Sequence, residues 1–218
     1  MLKFLIVRHG ETVSNAEKRF SGHQDVRLTE KGIWQAEQLS CRLKEETIDI
    51  AYSSDLQRAI HTAKIILGDR DIPLLKEPLF KEIHFGNWEG LKWEEIDDEK
   101  EEKKYGDWWK KPDLALPEGE SLLDLKKRVQ IGLDKLIQKH YEEDKKKTIA
   151  IVCHGGVAKT IIGIALDIPL HKVWHIRQQS TALNVLLYVK DVGFYVGSVN
   201  DIAHLTLLKE KGEQIEQH

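Results

Sequence analysis

Leu2-Lys3-Phe4-Leu5-Ile6-Val7 runs directly into Arg8-His9-Gly10-Glu11, and the reading of this junction decides the fold. A short apolar run bounded by polar residues is the pattern of a buried strand. Its polar end places a guanidinium and an imidazole at the strand's C-terminal end, where open α/β sheets bind their ligands. The pairing recurs far down the chain, where Ile149-Ala150-Ile151-Val152-Cys153 stops at His154-Gly155-Gly156. Two strand ends, each delivering a histidine beside glycine, predict one anion site and phosphoryl transfer through histidine.

Working outward, a polar loop covers Glu11 to Arg27, and Thr29 caps a helix with Ile33, Ala36, Leu39 and Leu43 on one face. Ile48 to Tyr52 reads as a short strand, after which Ser53, Ser54 or Asp55 caps a helix striped by Leu56, Ala59, Ile60, Ala63, Ile66 and Leu67. Pro73 to Leu79 is extended. Ser121, with Asp124 at the capping-box position, opens a long amphipathic helix carrying Leu122, Leu125, Val129, Leu133, Leu136 and Ile137. A helix through Leu166 follows the 149–153 strand, and Ala182–Val189 and Gly193–Val199 are β-rich. The alternation predicts a three-layer α/β/α fold with a mostly parallel central sheet. Residues 80–120 break the pattern: they carry four of the six tryptophans and read as a lid-like insertion of short helices and loops in a single domain spanning 1–218.

The chain has 218 residues, 41% hydrophobic and 32% charged, with a net charge of −3. No basic excess is present to hold a nucleic-acid backbone, and no apolar run is long enough to span a bilayer. Met1-Leu2-Lys3 enters the first strand without a signal-peptide pattern, so the expected location is cytoplasmic. Cys153 lies beside His154, but neighbouring strand residues face opposite ways. The better reading is a buried thiol acting as a small hydrophobe. Lys145 to Lys147 and the acidic 98–102 stretch read as solvated surface.

At the C-terminal edge of such a sheet, Arg8 and His9 arrive from one strand, Arg58 from the first turn of a helix, and His154 from another helix start. Helix N-termini and planar guanidinium forks both favour phosphate. A metal held by His9 and His154 is the alternative. It lacks a third ligand at metal-like spacing and would lie beside two arginines.

Several stretches together resemble the histidine phosphatase superfamily, which includes the cofactor-dependent phosphoglycerate mutases. They are Val7–Thr12, Asn15, Phe20-Ser21-Gly22, Leu28–Gly32, Tyr52–Ala59, Glu82–Gly90, Gly119-Glu120-Ser121 and Val152–Gly156. The resemblance implies that His9 is a nucleophile forming phosphohistidine. Arg8, Arg58 and His154 then bind phosphoryl oxygens with help from Asn15, and Glu82 is the proton donor. It implies a small-molecule phosphate monoester as substrate, with no metal, no other cofactor, no nucleic acid and no membrane. An alkoxide leaves poorly, so an acid must protonate it, and the resulting carboxylate can activate water against phosphohistidine. Donor work requires a protonated Glu82, which burial favours; Glu89 is the rival. Ser21, Gly22 and Gln24 are placed to contact substrate.

Mutases of this kind carry a Glu-Arg-x-Tyr-Gly-x-Leu-x-Gly pattern and longer chains, whereas Ile83, His84, Phe85 and Trp88 stand here. Hydrolysis is therefore expected over mutase activity or non-catalytic phospholigand binding. Phe85–Gly90 and Asn200–Leu205 resemble the α-ribazole phosphatase branch, which acts in cobalamin nucleotide-loop assembly; broad-specificity phosphatases share most motifs. His84 departs from the acidic or amide residue of that branch. Trp88, Trp93, Trp108 and Trp109 either stack on a planar base as a lid or anchor the insertion to the core.

Overall fold

The computed structural model describes residues 1–96 and 104–206; the acidic 98–102 stretch lies outside them. Six strands form one sheet in the order β3-β2-β4-β1-β5-β6, from β1 (Leu2–Arg8), β2 (Ile50–Ser53), β3 (Leu74–Lys76), β4 (Lys147–Cys153), β5 (Leu183–Val189) and β6 (Gly193–Asp201). β3, β2, β4 and β1 pair in parallel, whereas β5 runs antiparallel to both β1 and β6. The mostly parallel expectation holds, with an antiparallel hairpin added on one side.

Side-chain alternation divides the core. Phe4 and Ile6 of β1, with Ile149, Ile151 and Cys153 of β4, pack on one face. Leu5 and Val7, with Ala150 and Val152, pack on the other. This period of two is why β1 is apolar nearly throughout: both of its faces are covered. Of the four long helices, α1 (Glu30–Arg42) and α2 (Gln57–Leu67) cover the second face, and α3 (Leu122–His140) and α4 (Gly155–Ala165) cover the first. Leu125, Val129, Leu133 and Leu136 of α3 are at most 1% exposed. Burial on this scale is worth about 1.5–3 kcal/mol for each large aliphatic side chain.

The local signals for α1 and α3 hold. Thr29 Oγ1 accepts from Gly32 N at 3.0 Å. Ser121 and Asp124 form a reciprocal capping box, with Ser121 Oγ accepting from Asp124 N at 3.1 Å and Asp124 Oδ2 from Ser121 N at 3.2 Å. The cap of α2 differs. Its boundary residue is Leu56, which provides no side-chain cap. Asp25, thirty-two residues away, accepts from Gln57 N at 2.8 Å. Ser54 Oγ accepts a weaker bond from Leu56 N at 3.3 Å. The loop before α1 also contains a helical turn, Val13–Ala16, closed by a Thr12–Asn15 capping box.

Among the described residues of the 80–120 segment, short 3-10 turns lie at Gly86–Trp88, Trp93–Glu95 and Trp108–Lys110. Trp88 and Trp108 are buried in the main core with Tyr105 and Leu116. Trp88 therefore anchors the insertion instead of forming part of a lid; an irregular segment with few ladder hydrogen bonds is fixed by large apolar side chains.

Candidate active site

Register brings the two histidines level. Arg8 pairs with Cys153 across β1 and β4, so the next residues, His9 and His154, leave the sheet side by side, and His9 N donates to Cys153 O at 2.9 Å. Their ring centroids are 5.1 Å apart, edge to face. His9 Nδ1 is 2.7 Å from the carbonyl oxygen of Gly10. A carbonyl can only accept, so Nδ1 carries the proton and Nε2 keeps its lone pair. Burial, reinforced by the Arg58 and Arg8 charges, pulls the His9 pKa well below its ordinary value and keeps the ring neutral.

A cavity of about 170 Å³ opens on His9, lined also by Arg8, Asn15, Ser21, Arg58 and Glu82 among others. Arg58 forms its wall and is 1% exposed. Its Nη1 and Nη2 donate to the carbonyls of Gln24 and Gly22 at 2.7 and 2.6 Å, and its Nε donates to His154 Nδ1 at 3.2 Å. Burial lowers its pKa to about 10, against the pull of Glu82, so it remains a cation at neutral pH. Arg8 Nη1 donates to Gln178 O at 2.6 Å, while its Nε is buried without a protein partner. The Ser21 hydroxyl is likewise buried and unpartnered. Asn15 uses its amide oxygen on Thr12, which leaves the amide nitrogen for a ligand. Two guanidinium groups, a neutral imidazole and unfilled donors around a small cavity are suited to a phosphoryl group.

Glu82 faces this cavity half-buried. Its carboxylate accepts from Ile83 N at 3.0 Å and from Gly156 N, at the start of α4, at 3.1 Å. A Cβ on Gly156 would sit 2.5 Å from Glu82 Oε1, so a larger residue there would displace the carboxylate. Glu89, the rival acid, lies elsewhere. It accepts from His23 N at 2.8 Å and Phe85 N at 3.1 Å, in the space that a Cβ on Gly22 would occupy, and so ties two loops together.

Two expected contacts are placed differently. His154 is fully buried with both ring nitrogens engaged: Nδ1 accepts from Arg58, so the neutral ring donates from Nε2 to Ser54 Oγ at 2.8 Å. It stands behind Arg58 rather than lining the cavity. Gln24 reaches Arg58 through its backbone carbonyl, and its side chain is not in the lining. Cys153 is fully buried, and desolvation pushes its thiol pKa far up, as expected of a small hydrophobe. Sequence reasoning assigned no role to Arg19, Phe20 and Phe85, which complete the lining. Arg19 lies in a polar loop with no periodicity to mark it.

Beside this cavity lies an aromatic cleft of about 290 Å³ lined by Phe20, Trp93, Trp108, Trp109, Trp174 and His175. Phe20 belongs to both. A larger open groove of about 590 Å³ reaches Arg58 from the α1–α2 side, but His9 is not in its lining. Among the described residues no helix is long and apolar enough to cross a membrane, and no group of three or more His, Cys, Asp and Glu could hold a metal.

Residues 4–202 match the family model of the histidine phosphatase superfamily (branch 1). The chain belongs to that superfamily. An adenosylcobalamin/alpha-ribazole phosphatase of Escherichia coli is 33% identical over 178 residues, covering 81% of this chain and 85% of that one. A probable phosphoglycerate mutase GpmB of Yersinia pestis is 30% identical over 217 residues, covering 95% and 96%. Among solved structures, Bacillus stearothermophilus YhfR superposes with a TM-score of 0.86 at 32% identity, covering 94% of this chain and all of the other. As a histidine phosphatase the chain is a phosphatase enzyme of phosphate monoesters, with the fold its strand–helix alternation predicts.

Proposed function

We propose that this histidine phosphatase hydrolyses α-ribazole 5′-phosphate through a phosphohistidine on His9, without a metal. The observation that carries the mechanism is the His9 tautomer: Nδ1–H is held by Gly10 O, and the Nε2 lone pair belongs to a neutral ring between two arginines. In the first step Nε2 forms a bond to phosphorus as the bond to the leaving oxygen breaks. Glu82 delivers its proton to that oxygen. Arg8 and Arg58, with Asn15 and Ser21, hold the phosphoryl oxygens where charge gathers. His154 Nδ1 fixes the guanidinium by accepting from Arg58 Nε–H. In the second step water attacks phosphorus, the Glu82 carboxylate takes its proton, and the N–P bond breaks to release phosphate and neutral His9.

The substrate choice is supported by the ribazole-phosphatase relatives and by the aromatic cleft next to the phosphate cavity. A planar base linked to a phosphorylated sugar has an apolar face to bury and a phosphate to clamp. The mutase reading draws on the Yersinia relative, which matches more of the chain.

The test is phosphate release from α-ribazole 5′-phosphate, p-nitrophenyl phosphate and 3-phosphoglycerate with EDTA present, in the wild type, His9→Ala and Trp93→Ala. The proposal expects a strong preference for the ribazole ester, loss of all release in His9→Ala, and a several-fold weaker preference in Trp93→Ala. Similar modest rates on all three would replace it with a broad-specificity phosphatase. Interconversion of phosphoglycerates on adding 2,3-bisphosphoglycerate, without net hydrolysis, would replace it with a mutase.

A further inference from the structure

Arg128, on α3, lies outside the lining of the phosphate cavity, yet three of its five N–H hydrogens are directed at the segment that carries Glu82 and the other two at Glu120, which is itself bonded to that segment. Nη1 donates to Leu79 O at 2.9 Å and Lys81 O at 2.6 Å. Nη2 donates to Glu82 O at 2.8 Å and Glu120 Oε2 at 2.8 Å, and Nε to Glu120 Oε1 at 2.7 Å. Glu120 extends the grip past Glu82: its Oε2 accepts from His84 N, and its own N–H donates to His84 O, both at 2.9 Å. Burial alone would push the Glu120 carboxyl up, but the hydrogen bonds and charge of Arg128 and the His84 N–H hold it below the usual range. His23 Nε2 is a further partner of Glu82 O, at 2.9 Å.

We propose that the Arg128–Glu120 pair is a positioning device for the proton donor, fixing where the Glu82 carboxyl meets the leaving oxygen. It rests on the reading of Glu82 as the acid. A fold-holding role alone does not explain the arrangement, because Phe80 and Ile83, each 0% exposed, already anchor the segment on either side of Glu82. Those apolar anchors fix depth. Five directional hydrogen bonds in a planar fork fix orientation as well, which a lysine, a point charge with three rotating donors, cannot reproduce.

The experiment compares two nearly isosteric esters. p-Nitrophenolate leaves without a proton, whereas the alkoxide of 4-nitrobenzyl phosphate needs one. The readout is kcat/KM, which reports the steps through P–O cleavage and excludes phosphohistidine hydrolysis. Arg128→Lys is expected to lower kcat/KM for the benzyl ester by at least about ten-fold more than for the phenyl ester, within the about 10²–10⁴-fold that general-acid catalysis supplies. Glu120→Gln, which leaves the guanidinium in place, gives a second variant if the first folds poorly, with the same selectivity to a smaller degree. Equal losses on both esters in either folded variant, or no loss, would overturn the proposal. Glu82→Gln is the reference: a selective loss there with an equal loss in Arg128→Lys rejects the positioning role alone. An equal loss in Glu82→Gln rejects Glu82 as the acid, and the positioning role with it.

Discussion

Arg58 is committed to protein partners on every nitrogen before substrate arrives: His154 Nδ1 on Nε, Gln24 O on Nη1 and Gly22 O on Nη2. Each terminal nitrogen keeps a second hydrogen, so the group is aimed by its neighbours and still has donors for a phosphoryl oxygen. Arg58→Lys keeps the charge and loses the aim. Its expected effect is a fall in kcat/KM of about 10²–10³-fold, the scale for removing a preorganised charge-stabilising donor. Steady-state kinetics on any accepted ester checks this, and an Arg58→Lys enzyme within about three-fold of wild type would show that charge alone suffices. His154 illustrates how sequence and structure divide the information. Its place at a strand end beside glycine is legible in the chain. Its orientation, turned from the cavity toward Ser54 and Arg58, depends on partners about a hundred residues away.

At the scale of elements, α4 meets the Glu82 carboxylate through its first turn. Gly156 N donates to Glu82 Oε2 at 3.1 Å, and no side chain fits between them. Gly156→Ala separates stability from activity. Alanine is the better helix former by about 1 kcal/mol. Its Cβ would nevertheless sit 2.5 Å from the movable end of Glu82 and 3.3 Å from the Trp174 ring. The variant should melt within a few degrees of wild type while kcat/KM on an alkyl phosphate drops about ten- to a hundred-fold. A variant of unchanged activity would mean that the carboxylate tolerates displacement. The elements most legible in the sequence are those whose signals are local: β1 and β4 from uninterrupted apolar runs, α1 from Thr29, and α3 from Ser121 with Asp124. What escaped is held across long separations. Asp25 caps α2 from thirty-two residues away, and Arg128 grips carbonyls forty-six to forty-nine residues upstream. Such pairings leave no periodicity and no spacing to read. The tryptophans of 80–120 were ambiguous for a related reason, since composition marks them as large but not as facing core or solvent; Trp88 faces core and Trp93 faces the cleft.

Over the whole molecule, buried neutral histidines link the site to acid stability. His9 and His154 are held neutral by burial and the nearby arginines, and burial lowers the pKa of His204, in the short helix Ala203–Thr206 that follows β6, to about 4. His204 Nε2 is 3.0 Å from Thr181 Oγ1, and Thr181 N donates to His9 O at 3.3 Å, so the helical turn at Ala203–Thr206 is tied to the loop that carries His9. Each of these rings has a folded-state pKa below its unfolded value near 6.5. As pH falls through 6.5 the unfolded chain takes up protons that the folded chain refuses, so stability is full above that point and declines below it. The slope is up to about 1.4 kcal/mol per pH unit for each histidine, and for His204 the loss between pH 6.5 and 4 is on the order of 3 kcal/mol. Denaturant midpoints at pH 7.5, 6, 5 and 4.5 should therefore fall steadily in the wild type. In His204→Gln, which keeps a donor for Thr181, they should fall with a slope smaller by about one proton. A stability profile that is flat from pH 7.5 to 4.5 would show that these rings titrate in the folded protein as they do in the unfolded chain, and that burial does not hold them neutral.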